Sequence, residues 1–308
     1  MEPKKQTILI ILGPTCVGKS TTAIKIAKLF NGEIINCDSM QVYQGFDIGT
    51  DKILFDQREN IPHHLMDMIS PSTQFSAADF VQFALETIEN IHNKTKLPII
   101  AGGTGLYLKA LLNGLFTEGK SDPIIRKRLE SDAKEKGLES LSEKLRSVDP
   151  QYAEIIGNND KYRIIRALEV FEATNKTLSE HFTSTRSFVE DFRVLKIGLK
   201  IDRQILYTNI EKRVERMFKG GLVDEVKSLL EKGVNEESPP FRALGYKHVF
   251  KHLKNDLTLE ETVTLTQRDT RHYAKRQMTW FRKMEGIQWF NPEDFDSLKA
   301  HIKKTLDS

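Results

Sequence analysis

Cysteine is nearly absent from this chain of 308 residues, which carries only Cys16 and Cys37. Two thiols make no disulfide framework and supply too few ligands for a cysteine-based zinc site. Long apolar runs are missing as well: no stretch approaches the ~20 residues that a membrane helix needs, so no membrane partner is expected. Charge of one sign is not in excess, since 46 Lys and Arg stand against 43 Asp and Glu for a formal net charge of +3. That balance tolerates a nucleic-acid partner without arguing for one. His63 and His64 have no acidic or cysteine partners at metal-ligand spacing and read as structural residues in a loop. No internal repeat or low-complexity tract is visible.

What remains is an ordinary globular composition, 39% hydrophobic and 29% charged. The length suits one large α/β domain with a sizeable insertion, or two modest domains. Met1–Gln6 leads straight into a short strand and then a glycine loop. That is too short for a signal peptide, and the chain is expected in the cytoplasm.

The opening third alternates strand and helix. Ile8–Leu12 is a β-branched apolar run followed by a glycine loop and a helical stretch, Ser20–Phe30. Glu33–Cys37 reads as a second strand that delivers Asp38 at its end. Phe80, Val81, Ala84, Leu85 and Ile88 recur at helical spacing and predict a helix over Ala77–His92. Leu97–Ala101 reads as a third strand, running into Gly102-Gly103-Thr104-Gly105 and a helix to Leu112. Such alternation implies right-handed crossovers and an α/β fold built on a parallel sheet flanked by helices, like that of P-loop NTPases. From about Ser121 to Arg186 the pattern changes to charged, amphipathic helices, read as a helical insertion. Phe192–Ile201 returns to strand character and is expected to complete the sheet. Helical regions follow over Arg203–Lys232 and Leu259–Met284. The expected organisation is a core of residues 1–116 and 187–308 with a helical insertion over 117–186.

Gly13-Pro14-Thr15-Cys16-Val17-Gly18-Lys19-Ser20 fits G-x-x-x-x-G-K-[ST], with a strand before it and a helix after it. In that setting backbone N–H groups and the helix dipole converge on phosphate oxygens. Lys19 supplies a point charge, and the Ser20 hydroxyl suits a Mg2+ ion bridging two phosphates. The motif marks a diphosphate site without saying what the diphosphate is attached to. Cys16 reads as a small residue that fits a tight loop, and Cys37 as buried packing.

Further stretches follow in order: Asp38-Ser39-Met40-Gln41-Val42-Tyr43, Asp47-Ile48-Gly49-Thr50, Pro62-His63-His64, Phe75–Phe80 and Gly102–Tyr107. Beyond them come Arg163–Val170, Arg213–Met217, Gly221–Val226, Ala243–Tyr246 and Thr270–Trp280. Taken together after a P-loop, they closely resemble the tRNA dimethylallyltransferase (tRNA isopentenyltransferase) family over nearly the whole chain. The resemblance implies transfer of a dimethylallyl group from dimethylallyl diphosphate to the exocyclic amine (N6) of an adenine. In this family that adenine lies just 3′ of the anticodon in tRNAs reading codons that begin with U. The P-loop then holds the donor's diphosphate rather than a nucleoside triphosphate. Longer members carry a C-terminal zinc finger; this chain lacks Cys/His pairs there and looks like the shorter bacterial type, with no obligate protein partner expected and a monomer as the working form.

An exocyclic amine delocalised into a purine ring is a poor nucleophile and needs a positioned base. Asp38, at a strand end beside the diphosphate site, is assigned that role; a magnesium ligand, as in P-loop kinases, is the other reading of the same carboxylate. Negative charge grows on the leaving diphosphate as the C–O bond breaks, so cations and donors placed there help most. Lys19, Ser20 with magnesium, Thr104 and Arg213 are the candidates. Thr104 also suits a helix N-cap, and Arg213 would be an ordinary solvated helix residue but for the family resemblance.

A base stacked in an anticodon loop must be turned out to reach a buried carboxylate. Ser39, Met40 and Gln41 beside Asp38 are placed to border it, the Gln41 amide suits an adenine edge, and Asp38 and Thr104 are themselves counted among the tRNA-binding candidates. The resemblance adds Arg126, Tyr162, Arg163, Ile164, Ile165 and Arg166 in the insertion, and Arg242, Ala243, Leu244, Gly245, Tyr246 and Lys247 in the core. Arg268, Arg271, Lys275 and Arg282 form a basic stripe on the last long helix, read either as a solvated face or as phosphate contacts. Tyr273 and Trp280 fall elsewhere and are expected to pack. The rival readings are a P-loop small-metabolite kinase, a relative that prenylates free adenine nucleotides, and a non-enzymatic RNA-binding switch. Against the kinase, the third strand ends in Gly-Gly-Thr rather than an acid.

Overall fold

The computed structural model describes residues 5–115 and 122–307. Six strands, β1 (Thr7–Leu12), β2 (Gly32–Cys37), β3 (His63–His64), β4 (Leu97–Gly102), β5 (Arg193–Leu199) and β6 (Ile287–Phe290), form one parallel sheet in the spatial order β3-β2-β4-β1-β5-β6. β1 lies inside the sheet, and Ile8 through Leu12 are all buried. That is why its sequence is a continuous apolar run rather than an alternation. Helix α1 (Lys19–Leu29) follows β1 directly, and α2 (Ala77–Asn93) and α3 (Gly105–Asn113) flank β4 in sequence. Ser76 starts α2 through a capping box: its hydroxyl accepts from the Asp79 N–H (3.2 Å) while Asp79 accepts from the Ser76 N–H (2.7 Å).

The chain divides into two compact units, Met1–Ala110 with Val189–Ser308, and Leu111–Phe188. The boundary expected at 116/117 lies outside the described residues. The second unit contains α4 (Pro123–Glu135), α5 (Gly137–Val148), α6 (Pro150–Ile156), α7 (Lys161–Thr174) and α8 (Leu178–Ser184). It has its own apolar core around Leu129, Leu145, Ile164, Ile165 and Leu168. Fully buried Glu169 is compensated there by Arg126 (2.8 Å), Arg166 (3.1 Å) and the Asp122 N–H (2.8 Å). A carboxylate without water needs such partners.

The first unit continues through α9 (Arg203–Lys219), α10 (Leu222–Glu231), α11 (Tyr246–Leu253), α12 (Leu259–Phe281) and α13 (Phe295–Asp307). Three expectations change here. The helical region over Arg203–Lys232 is broken at Gly220-Gly221, where Gly221 takes φ 96° and starts α10 from a left-handed conformation. His63 and His64 are not loop residues: they form β3 and pair with Ile34 and Ile35. The sheet is not completed by β5, because β6 adds an edge strand only four residues long, too short for a periodicity to register. Helices α11 and α13 carried no reading at all. Among the described residues no helix is long and apolar enough to cross a membrane.

At the N-terminal end of β2 the Glu33 carboxylate is buried and accepts from His64 Nε2 (2.7 Å), Lys96 (2.8 Å) and Lys94 (3.4 Å). Burial alone would push its pKa up; the bonds from Lys96 and His64 and the charge of Lys94 outweigh that and hold it down at about 2. A carboxylate depressed on folding contributes stability that is present above its unfolded pKa, roughly 4.3, and is lost as pH falls toward the folded value. The urea midpoint is therefore expected to drop between pH 5 and pH 2.5, and Glu33→Gln should flatten that drop. An unchanged acid dependence in the variant would show that other carboxylates dominate.

Candidate active site

All strands of the sheet point the same way, so the loops after β1, β2 and β4 open on one edge, where parallel α/β sheets bind ligands. Register brings them together: Leu12 and Cys37 both pair with Gly102. The P-loop, Asp38 and Gly103 thus leave the sheet side by side. Their proximity demands glycine. A Cβ on Gly102 would stand 2.0 Å from the Cys37 carbonyl oxygen, and one on Gly103 would stand 2.3 Å from Gln277 Nε2.

Gln277, buried on α12, locks these loops. Its Oε1 accepts from the Thr15 N–H (2.8 Å) and its Nε2 donates to the Gly103 carbonyl (2.9 Å). Asp38 Oδ1 accepts from the N–H groups of Met40 (2.9 Å) and Gln41 (3.4 Å), which turns the chain back after β2. Oδ2 of the same carboxylate carries no hydrogen bond among the described residues. The Thr104 hydroxyl accepts from the Ser39 N–H (3.1 Å), and the Thr104 N–H donates to the Cys37 carbonyl (3.2 Å), so Thr104 fixes the Asp38 turn against the end of β4.

A cavity of about 630 Å³ opens among these loops. Lys19 reaches into it while donating to the Pro14 carbonyl (2.8 Å). Burial, only partly countered by the Asp38 charge, lowers the Lys19 pKa to about 8. From α9, Arg213 Nη1 donates to Thr15 Oγ1 (2.6 Å) and approaches Cys16 Sγ (3.5 Å). Its Nε lies 3.5 Å from the Asp51 carboxylate, which also takes the Arg216 guanidinium at 2.9 Å. Ser20, Thr15 and Asp38 line the same cavity, and the rest of its wall includes Met40, Val214, Met217, Leu244, Thr266, Thr270 and Tyr273. Cations and a carboxylate therefore share one chamber with apolar surface. Such a chamber suits a small ligand with an anionic head and an apolar tail.

Of the residues singled out from sequence, Thr15, Cys16, Gly18, Lys19, Ser20, Asp38–Gln41, Arg213 and Arg242–Leu244 line this cavity. Gly13, Pro14 and Val17 are buried beneath the loop. Thr104 acts at one remove, through Ser39. Gln41 does not hold its amide free: Nε2 donates to the carbonyls of Thr50 (3.0 Å) and Asp51 (3.4 Å). Tyr246 is fully buried, and Ile164 and Ile165 are buried in the helical unit, so these three shape their segments from beneath. Lys247 pairs with Asp269 (3.1 Å), Arg163 with Asp160 (3.5 Å), and Arg126 stacks on the exposed Tyr162 ring (5.4 Å). The basic stripe of α12 is partly neutralised, since Arg268 pairs with Asp269 and Arg271 with Glu211. Tyr273 does not only pack but forms part of the cavity wall. Sequence reading missed the roles of Gln277, Asp51 and Arg216; all three stand in or beside quoted stretches, but an amide, a lone acid or one more helix arginine has no spacing signature of its own.

The family profile described as IPP transferase matches residues 41–284. A tRNA dimethylallyltransferase of Acetivibrio thermocellus is 46% identical over 297 residues, covering 96% of this chain and 95% of the relative. Another from Carboxydothermus hydrogenoformans is 46% identical over 303 residues, covering 98% and 96%. Among solved structures, the full-length tRNA isopentenylpyrophosphate transferase from Bacillus halodurans superimposes with a TM-score of 0.73 at 37% identity, covering 99% of this chain and 97% of that one. A eukaryotic dimethylallyltransferase captured acting on tRNA superimposes with a TM-score of 0.81 at 30% identity, covering 98% and 77%.

Proposed function

Since the chain belongs to the IPP transferase family, we propose that it transfers the dimethylallyl group from dimethylallyl diphosphate to N6 of the tRNA adenine 3′ of the anticodon, in tRNAs reading codons that begin with U. The observation that carries this reading is the single chamber in which the P-loop, Lys19 and Arg213 face the Asp38 carboxylate beside an apolar wall. The donor's diphosphate occupies the P-loop, and its short prenyl tail takes the apolar surface. The adenine enters turned out of its stack. Its N6 lone pair forms a bond to the allylic carbon while the C–O bond breaks and its electron pair leaves with the diphosphate. Lys19 and Arg213 stabilise that growing charge. Asp38 Oδ2 takes the proton from N6, while Oδ1 stays tied to the Met40 and Gln41 amides and Thr104 holds the turn.

Magnesium is the proposed metal. Ser20 lines the same chamber, and its hydroxyl would offer the hard oxygen donor it prefers. No cluster of three or more His, Cys, Asp or Glu suited to a metal exists among the described residues, so the remaining ligands would have to come from phosphate oxygens and water. Bound there, it would supply charge neutralisation at the diphosphate. Arg242 and Lys247 are the proposed tRNA contacts of the first unit; in the helical unit, exposed Tyr162 with Arg126 over its ring is a separate candidate stacking platform. The protein acts as a cytoplasmic monomer.

The test is incubation with magnesium and radiolabelled dimethylallyl diphosphate against three acceptors: a tRNA reading codons that begin with U, the same tRNA with guanine for the target adenine, and free AMP. Label entering only the first is the expected result. Label in AMP moves the protein to nucleotide prenylation, and no label in any acceptor overturns the reading.

A further inference from the structure

Glu225, on the first turn of α10, lies outside the cavity wall yet accepts four hydrogen bonds. Its Oε2 takes the N–H groups of Asp47 (3.1 Å) and Ile48 (2.7 Å); its Oε1 takes the Gly49 N–H (3.2 Å) and the Tyr246 hydroxyl (2.6 Å). Three successive backbone amides closing on one carboxylate form a nest that fixes the loop from Phe46 to Asp51. Tyr246 adds shape to the same grip. Its ring lies 5.0 Å from that of Phe46, and a Cβ on Gly49 would stand 2.4 Å from it. Burial and the Glu225 charge push the Tyr246 phenol pKa far up, so it remains a donor.

The loop so held ends at Asp51, the carboxylate shared by Arg213 and Arg216, and Arg213 donates in turn to Thr15 of the P-loop. We propose that Glu225 is a positioning residue: it sets the Phe46–Asp51 loop so that Asp51 aims the Arg213 guanidinium at the diphosphate, and through Tyr246 it ties that aim to the 242–247 segment. The proposal rests on the functional reading above only in naming the diphosphate as prenyl donor. Glutamine at 225 keeps the shape but turns an NH2 group toward backbone N–H donors. Two donors facing each other release the loop, and Arg213 loses its guide.

Binding of inorganic pyrophosphate with magnesium, measured by calorimetry on the full chain, reads this without any transfer. Glu225→Gln is expected to weaken pyrophosphate roughly tenfold, the scale of one lost charge-assisted hydrogen bond, and Tyr246→Phe by less. In an Arg213→Ala background the Glu225→Gln effect should vanish, because its target is gone. A purely architectural role would instead give additive losses in that cycle, and additivity overturns the proposal. So does unchanged pyrophosphate affinity in Glu225→Gln. Should Glu225→Gln fail to fold, the same cycle run with Tyr246→Phe decides the matter. In steady-state transfer the donor KM should rise more than kcat falls. A wild type that binds pyrophosphate but labels no tRNA overturns the functional reading, and the cycle on pyrophosphate still decides the role of Glu225.

Discussion

Asp38→Asn is expected to slow prenyl transfer by about 10³-fold, within the range that a positioned base contributes, while pyrophosphate affinity changes little. The substitution is chosen for what it spares. Asp38 Oδ1 accepts from the Met40 and Gln41 amides, and the asparagine oxygen can keep both bonds, so the turn after β2 survives. What is lost is the basic second oxygen, which no other group engages among the described residues and which is the proposed acceptor of the N6 proton. The Thr104 hydroxyl still receives the Ser39 N–H, so the backbone of the site stays in place. A single-turnover assay with labelled donor and saturating tRNA reads the chemical step apart from binding. A fall of only a few-fold would reduce Asp38 to a turn-former and require the base to lie elsewhere.

Lys19→Met should weaken pyrophosphate by roughly 100-fold, as expected for a lost ammonium–phosphate hydrogen bond at a partly buried site. Its pH dependence is the sharper test. With a pKa lowered to about 8 in the empty protein, Lys19 carries its proton at neutrality and loses it above that value. Wild-type affinity should be flat below pH 8 and fall by about tenfold per pH unit above it, as linkage to one proton requires. Lys19→Met should lack that break. Stability moves the opposite way. The folded state disfavours the charged amine, so between pH about 8 and 10.5 the unfolded chain binds more protons and stability rises with pH. Below 8 the cost of burying the charge is fully present. Lys19→Met should therefore raise the urea midpoint of the empty protein at pH 7 while it cripples binding. A variant both weaker in binding and less stable at pH 7 would mean that Lys19 serves chiefly as packing.

Two further cations of the chamber, Arg213 and Arg216, depend on partners far away in sequence. Arg213 contacts Asp51 and Thr15, and the Asp51 loop is held by Glu225, so this side of the cavity rests on segments separated by more than a hundred residues. Each contact crosses from the loop side of the sheet to α9 or α10.

Local chemistry in the sequence was enough for the parts of the molecule whose cause is local. The P-loop is legible because a strand, a glycine turn and a helix start must follow one another directly to cradle phosphate. The strand that delivers Asp38 and the helix read over Ala77–His92 announce themselves by apolar run and by helical spacing, and the parallel sheet follows from their alternation. What the tertiary structure decided is everything that depends on which distant groups meet. The edge strand Ile287–Phe290 is too short to carry a period and exists because β5 offers it a partner. Gln277 bridges Thr15 and Gly103 because α12 passes over both loops. Tyr273 reached the cavity and Tyr246 the core, although both are tyrosines in helices of mixed polarity. Hydrogen bonds and ion pairs act over about 3 Å, and distance along a chain does not foretell distance in space; only the packed fold closes those gaps.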